Sequence, residues 1–152
     1  MDWIVKDIQL YEQAREYVDT AVVPLIPVSL GADVQSIVQK GEYISVLTRE
    51  LEHEYRGRLL RLPEFSYMTV HAEAEQQRLR DWTDHLLESG MRHVVYVTSD
   101  YSWKEADLPK GTLFWLPALP IEQLDSKAKR EVIHSQIREM MTILTKKWEK
   151  TE

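Results

Sequence analysis

Apolar residues are densest from Ala21 to Leu30, AVVPLIPVSL, where Val22, Val23, Leu25, Ile26, Val28 and Leu30 come without polar alternation. A run of this kind suits a strand covered on both faces. Pro24 and Pro27 each remove a ladder donor, so regular pairing is expected to break at one or both. Upstream, Ile8, Tyr11, Ala14 and Val18 recur at steps of three and four, which predicts a short helix with Asp7 as N-cap.

Downstream, Gly31 and Asp33 punctuate the chain ahead of a helical region broken near Gly41. Its second part, Glu42 to Arg56, carries Ile44, Leu47, Leu51 and Tyr55 at helical spacing, with Gly57 placed for a left-handed C-cap. Arg58 to Leu62 reads as a second strand ended by Pro63, and PEFSY as a loop. A helix from Ala72 to Ser89 shows Leu79, Trp82 and Leu86 on one side and closes at Gly90. HVVYVT, His93 to Thr98, is a strand by β-propensity.

Ser102 and Glu105 form a capping-box pattern, which predicts a short helical turn between Tyr101 and Gly111. Thr112 to Leu116 is then a fourth strand, and Asp125 to Lys150 a last helix with the stripe Ile133, Ile137, Met140, Leu144 and Trp148. The alternation of helix and strand predicts a single α/β domain over residues 1–152, a three-layer α/β/α arrangement of Rossmann-like or flavodoxin-like architecture. Its sheet is mostly parallel and four-stranded, in the order 2-1-3-4. The connection from the third strand to the fourth is near the minimum for a parallel crossover, so an antiparallel fourth strand stays open.

The outline EYVDTAVVPLIPVSL, followed by a helix, GRLLRLPEFSY and the WLPALP segment, resembles a family of small, uncharacterised bacterial cytosolic proteins, a domain of unknown function. The resemblance spans nearly the whole chain. It implies no activity, catalytic residue or cofactor.

Composition narrows the field. A net charge of −6 gives no general attraction for phosphate backbones or anionic lipid, which argues against nucleic acid as a partner. With no cysteine there is no disulfide, thiolate nucleophile or Cys-based metal site. Neither a signal-peptide core nor a membrane-length apolar run occurs, so the expectation is a soluble cytoplasmic protein.

Candidate chemistry follows from topology, because ligands of open parallel sheets bind outside the carboxyl ends of the strands. Ser29, Gly31 and Asp33 follow the first strand, and Thr98, Ser99, Asp100 and Tyr101 the third. If those strands are neighbours, the two loops form one ligand-binding crevice. Helix capping is the competing role for each of these residues. Trp103 is a candidate partner surface beside Tyr101. Neither GxGxxG, GxxxxGK[ST] nor GxSxG occurs, so no dinucleotide, P-loop or serine-hydrolase site and no cofactor is expected.

No metal is expected either. Glu50-x-x-His53 and Glu131-x-x-His134 have di-metal spacing, but His53 points off the core stripe of its helix. The last helix offers an association surface if its apolar stripe exceeds what the sheet covers, and a homodimer stays open. The reading that results is a non-catalytic binding or accessory protein for a small ligand or a protein partner. The alternative is a hydrolase or transferase acting on a small substrate, phosphorylated or not, at the ends of strands one and three.

Overall fold

Strand β1, Thr20–Val28, is the centre of the sheet in the computed structural model, which describes residues 1–151. The chain divides into two compact units, Met1–Ala118 and Leu119–Glu152. The first carries the sheet. Its elements are α1 (Val5–Gln13), β1, α2 (Val34–Glu54), β2 (Leu59–Arg61), β3 (Phe65–Met68), α3 (Ala72–Glu88), β4 (His93–Thr98), a 3-10 turn (Tyr101–Glu105) and β5 (Thr112–Trp115).

Every pairing is parallel, in the order β2-β1-β4-β5, with β3 also paired to β1. The predicted order 2-1-3-4 is therefore present, and the last strand runs parallel to its neighbour. The sheet has five strands because PEFSY is not a loop: Phe65–Met68 pairs with Leu25–Val28. Phe65 and Tyr67 are buried while Ser66 and Met68 are exposed, the alternation of a strand covered on one face.

The two prolines of β1 fall where the ladder needs no donor. Backbone groups alternate sides along a strand, and Thr20 N–H and the Val22 and Val28 carbonyls bond toward β2 and β3. Pro24 shares that parity and sits where the partner changes, between the β2 pairing that ends at Val22 and the β3 pairing that starts at Leu25. Pro27 has the opposite parity and faces β4, whose pairing with β1 stops at Pro24. Continuing that register would direct the missing Pro27 donor at the Ser99 carbonyl, which accepts from Trp115 Nε1 at 3.2 Å instead. The pairing does change at Pro24, yet β1 stays extended through Val28.

Three layers follow within this unit. Ala21, Val23 and Leu25 of β1, with Val94 and Tyr96 of β4, pack into one core cluster with Leu79 and Leu86 of α3, against which Ile8 and Tyr11 of α1 also lie. The even face of β1 meets α2. There Gly41 lets the helix approach, since a Cβ at that position would stand 2.9 Å from Ile26 Cγ2. This contact explains why α2 runs unbroken from Val34 to Glu54 through Gly41, where a break was expected. It closes at Tyr55, ahead of Gly57. Helix α1 starts earlier than predicted, and Asp7 sits inside its first turn, accepting from Asp2 N at 2.7 Å.

The second unit holds a 3-10 turn, Ile121–Gln123, and α4, Ser126–Thr151. Asp125 caps α4, its carboxylate accepting from Ala128 N at 2.8 Å. No helix among the described residues is long and apolar enough to cross a membrane.

Candidate functional site

Because β1 and β4 are neighbours, the loops after them leave adjacent strand ends. Ser29 is half-buried, with its Oγ 3.4 Å from Gly31 N, while Gly31 and Asp33 are exposed. Asp33 precedes α2 but makes no side-chain cap hydrogen bond, leaving its carboxylate to solvent.

The second loop is used differently. Thr98 is fully buried and its Oγ1 accepts from Asp100 N at 3.0 Å. Ser99 is buried too, with an Oγ that has no hydrogen-bond partner. Asp100, rather than Ser102, caps the 3-10 turn: its Oδ1 accepts from Ser102 N at 3.0 Å and Ser102 Oγ at 2.8 Å. Tyr101 is exposed, its ring edge-on to Trp115 at 5.4 Å, with Lys104 Nζ 5.1 Å above it.

Trp103 does not form a partner surface. It is only 4% exposed and packs edge-to-face on Tyr67 at 5.0 Å and on Phe65 at 6.5 Å. The 3-10 turn folds it inward, where its indole covers the aromatic side chains of β3.

Asp100 also reaches across to β3. Its Oδ2 accepts from the Tyr67 hydroxyl at 2.8 Å. Burial raises the Tyr67 phenol well above its ordinary range, and the Asp100 carboxylate adds to this by charge and by hydrogen bond. The Trp103 and Thr98 side chains act weakly the other way. Tyr67 is thus a neutral donor held on Asp100, a contact that ties the loop after β4 to β3.

Beside this pair, Glu75 and Arg78 of α3 hold the edge of β3. Glu75 Oε2 accepts from Met68 N at 2.6 Å, and Arg78 Nη2 donates to the Ser66 carbonyl at 2.5 Å. Arg78 Nε lies 3.0 Å from Glu75 Oε1, and its guanidinium stacks 4.0 Å above the Phe65 ring. The Arg78 hydrogen bond, then that from Met68 N, holds the Glu75 carboxyl below its usual range against the opposing effect of burial.

A recess of about 50 Å³ opens here, lined among others by Tyr67, Met68, Glu75, Asp100 and Trp103. Ser29, Gly31 and Asp33 are not part of its wall. The structure therefore brings Asp100 together with β3 and α3, and leaves the Ser29–Asp33 loop at the neighbouring strand end. Its volume suits one or a few waters, whereas small-molecule sites typically enclose roughly 300 Å³ or more. Tyr67, Glu75 and Arg78 were not among the expected site residues. The period-two order of Phe65, Ser66, Tyr67 and Met68 is the signal that would have placed them, hidden by the Pro63 before it.

The loops that follow the strands carry exposed apolar side chains. Leu30 after β1 is 91% exposed, Val70 after β3 74% and Tyr101 after β4 61%. Val28 and Met68, register partners on β1 and β3, are partly exposed as well.

These features define a small three-layer α/β protein with a parallel sheet, and with a narrow recess and exposed apolar side chains at the carboxyl end. The chain belongs to the family described as a protein of unknown function (DUF2487), which matches residues 9–148. It is 33% identical over 148 residues to the uncharacterized protein YpiF of Bacillus subtilis (strain 168), covering 97% of this chain and 98% of that protein. No solved structure matches it. The family agrees with the resemblance read from the sequence to proteins of unknown function.

Proposed function

We propose that the protein is a non-catalytic binding module whose working surface is the carboxyl end of the sheet, and that its partner is a protein segment with apolar anchor residues and basic flanks. The observation that carries this reading is the apolar rim of Leu30, Val70 and Tyr101 on three different loops. Exposed apolar side chains are ordinary singly, but several at one end of a sheet mark association surfaces. Charge selects the flanks: Asp33, in the loop after β1, and Glu73, in the first turn of α3, are exposed and favour lysine or arginine opposite them. In this reading Ser29, Gly31, Asp33 and Tyr101 make contact, while Thr98, Ser99 and Asp100 hold the loop in shape.

Site-specific photo-crosslinking in cells tests it. A photoreactive residue replacing Leu30 or Val70 should give the same discrete heteromeric product, and one replacing Glu12 on α1 should not. With that partner purified, the pair Leu30→Asp and Val70→Asp should weaken binding at least about tenfold, or 1.4 kcal/mol. Equal products from all three positions, or unchanged affinity, would refute the reading. A thermal shift with a nucleotide or sugar phosphate that Asp100→Ala removes would instead favour a small-molecule site.

A further inference from the structure

The outer edge of β3 is closed by side chains where another strand would normally lie. Its register with β1 turns the odd residues inward, as the bond from Thr69 N to the Val28 carbonyl shows, so the Ser66 carbonyl and Met68 N–H point outward. Arg78 supplies the donor for the first and Glu75 the acceptor for the second. Two side chains one helical turn apart on α3 thus reproduce the hydrogen-bonding pattern of a neighbouring strand.

We propose that this edge is a self-pairing surface held shut by the Glu75–Arg78 clamp, and that the partner it fits is a second copy of this chain. The two outward groups are complementary to themselves. A two-fold axis beside Tyr67 sets Ser66 of one copy opposite Met68 of the other, so each Met68 N–H meets the other copy's Ser66 carbonyl. The same pairing brings together the two Met68 side chains, each already partly exposed. Opening the clamp exchanges two hydrogen bonds for two others and leaves Arg78 and Glu75 free to stay paired with each other. What keeps it shut is therefore position: Arg78 is stacked on Phe65, and Glu75 is nearly buried beside Met68. Unpaired edges are templates for further chains, and an ion pair set across one blocks that growth.

The test is the mass of clamp variants by light scattering over a range of concentrations. Glu75→Ala/Arg78→Ala should reach twice the wild-type mass as concentration rises, with slowed hydrogen exchange at the Met68 amide. Adding Met68→Pro, which removes the donor, should return the wild-type mass. Glu75→Ala alone, which frees the Met68 donor while the Ser66 carbonyl keeps a second lone pair to accept with, carries the test if the double variant does not fold. A folded clamp variant that keeps the wild-type mass overturns the proposal, as does a doubled mass that survives Met68→Pro. The outcome is separate from whether the apolar rim takes a partner.

Discussion

The two ends of β1 treat their polar groups in opposite ways. At the amino end, Asp19 accepts from Thr20 Oγ1 at 2.9 Å and from Arg58 Nε and Nη2, each at 3.2 Å, while its carbonyl accepts from Arg92 N at 2.9 Å and His93 N at 3.0 Å. One residue thereby ties β1 to the starts of β2 and β4. At the carboxyl end, Asp33 caps nothing with its side chain and Leu30 stands almost fully in solvent. An end that spends its groups on itself is built for stability, and an end that leaves them facing outward is available for recognition.

Substitutions can break or sharpen this contrast, beginning with the largest effect. Gly111, at the amino end of β5, has no room for a side chain, since a Cβ would lie 2.2 Å from the Tyr96 ring. Tyr96 is buried and its hydroxyl bonds Thr83, so it cannot swing away freely. Gly111→Ala should lower unfolding stability by about 3 kcal/mol in urea, the upper range for overpacking. Asp19→Ala should cost about 2 kcal/mol, because it removes the carboxylate that pairs with Arg58 and accepts from Thr20 at the start of the central strand. A loss under 0.5 kcal/mol would put the amino end on the same footing as the rim.

Tyr67→Phe removes one neutral donor from Asp100 and should cost about 1 kcal/mol at pH 7. Its pH signature is sharper. The Tyr67 and Tyr96 phenols are both raised by burial, so the folded state keeps protons that the unfolded chain loses above about pH 10. The contribution of these two phenols should be level below that pH and fall above it, at up to about 1.4 kcal/mol per pH unit for each. Tyr67→Phe should remove one of the two contributions, seen as a shallower alkaline decline. Smallest of all, Leu30→Ser should leave stability within about 0.5 kcal/mol, as expected for a side chain that touches little. A larger loss would mean that the Leu30 loop is part of the fold's support.

Much of the architecture was legible because period and propensity agreed. HVVYVT could be little else than a strand, and the unbroken apolar character of AVVPLIPV matched a strand with helices on both faces. The errors arose where a local signal met a tertiary contact. Gly41 looks like a break in one dimension, and only the approach of Ile26 shows why the helix needs a glycine there. Phe65–Met68 is too short beside Pro63 to announce itself as a strand, so the clamp on its edge stayed out of sight. Within the candidate site, the end of the sheet was readable from topology. The inward turn of Trp103 was not, because a tryptophan beside an exposed tyrosine fits a surface equally well until Tyr67 and Phe65 are placed beneath it.

The prolines of β1 have a consequence for folding as well as for pairing. Pro24 and Pro27 lie an odd number of residues apart, so one faces each neighbouring side of the strand. Sliding β1 by a single residue against β4 would turn Pro24 onto that ladder, where the acceptor it met would go unanswered, and would carry Val23 and Leu25 out of the cluster they share with α3. The central strand therefore penalises misalignment twice over, once in the backbone and once in the core. Residues that seemed to weaken the strand instead rule out odd shifts of its alignment.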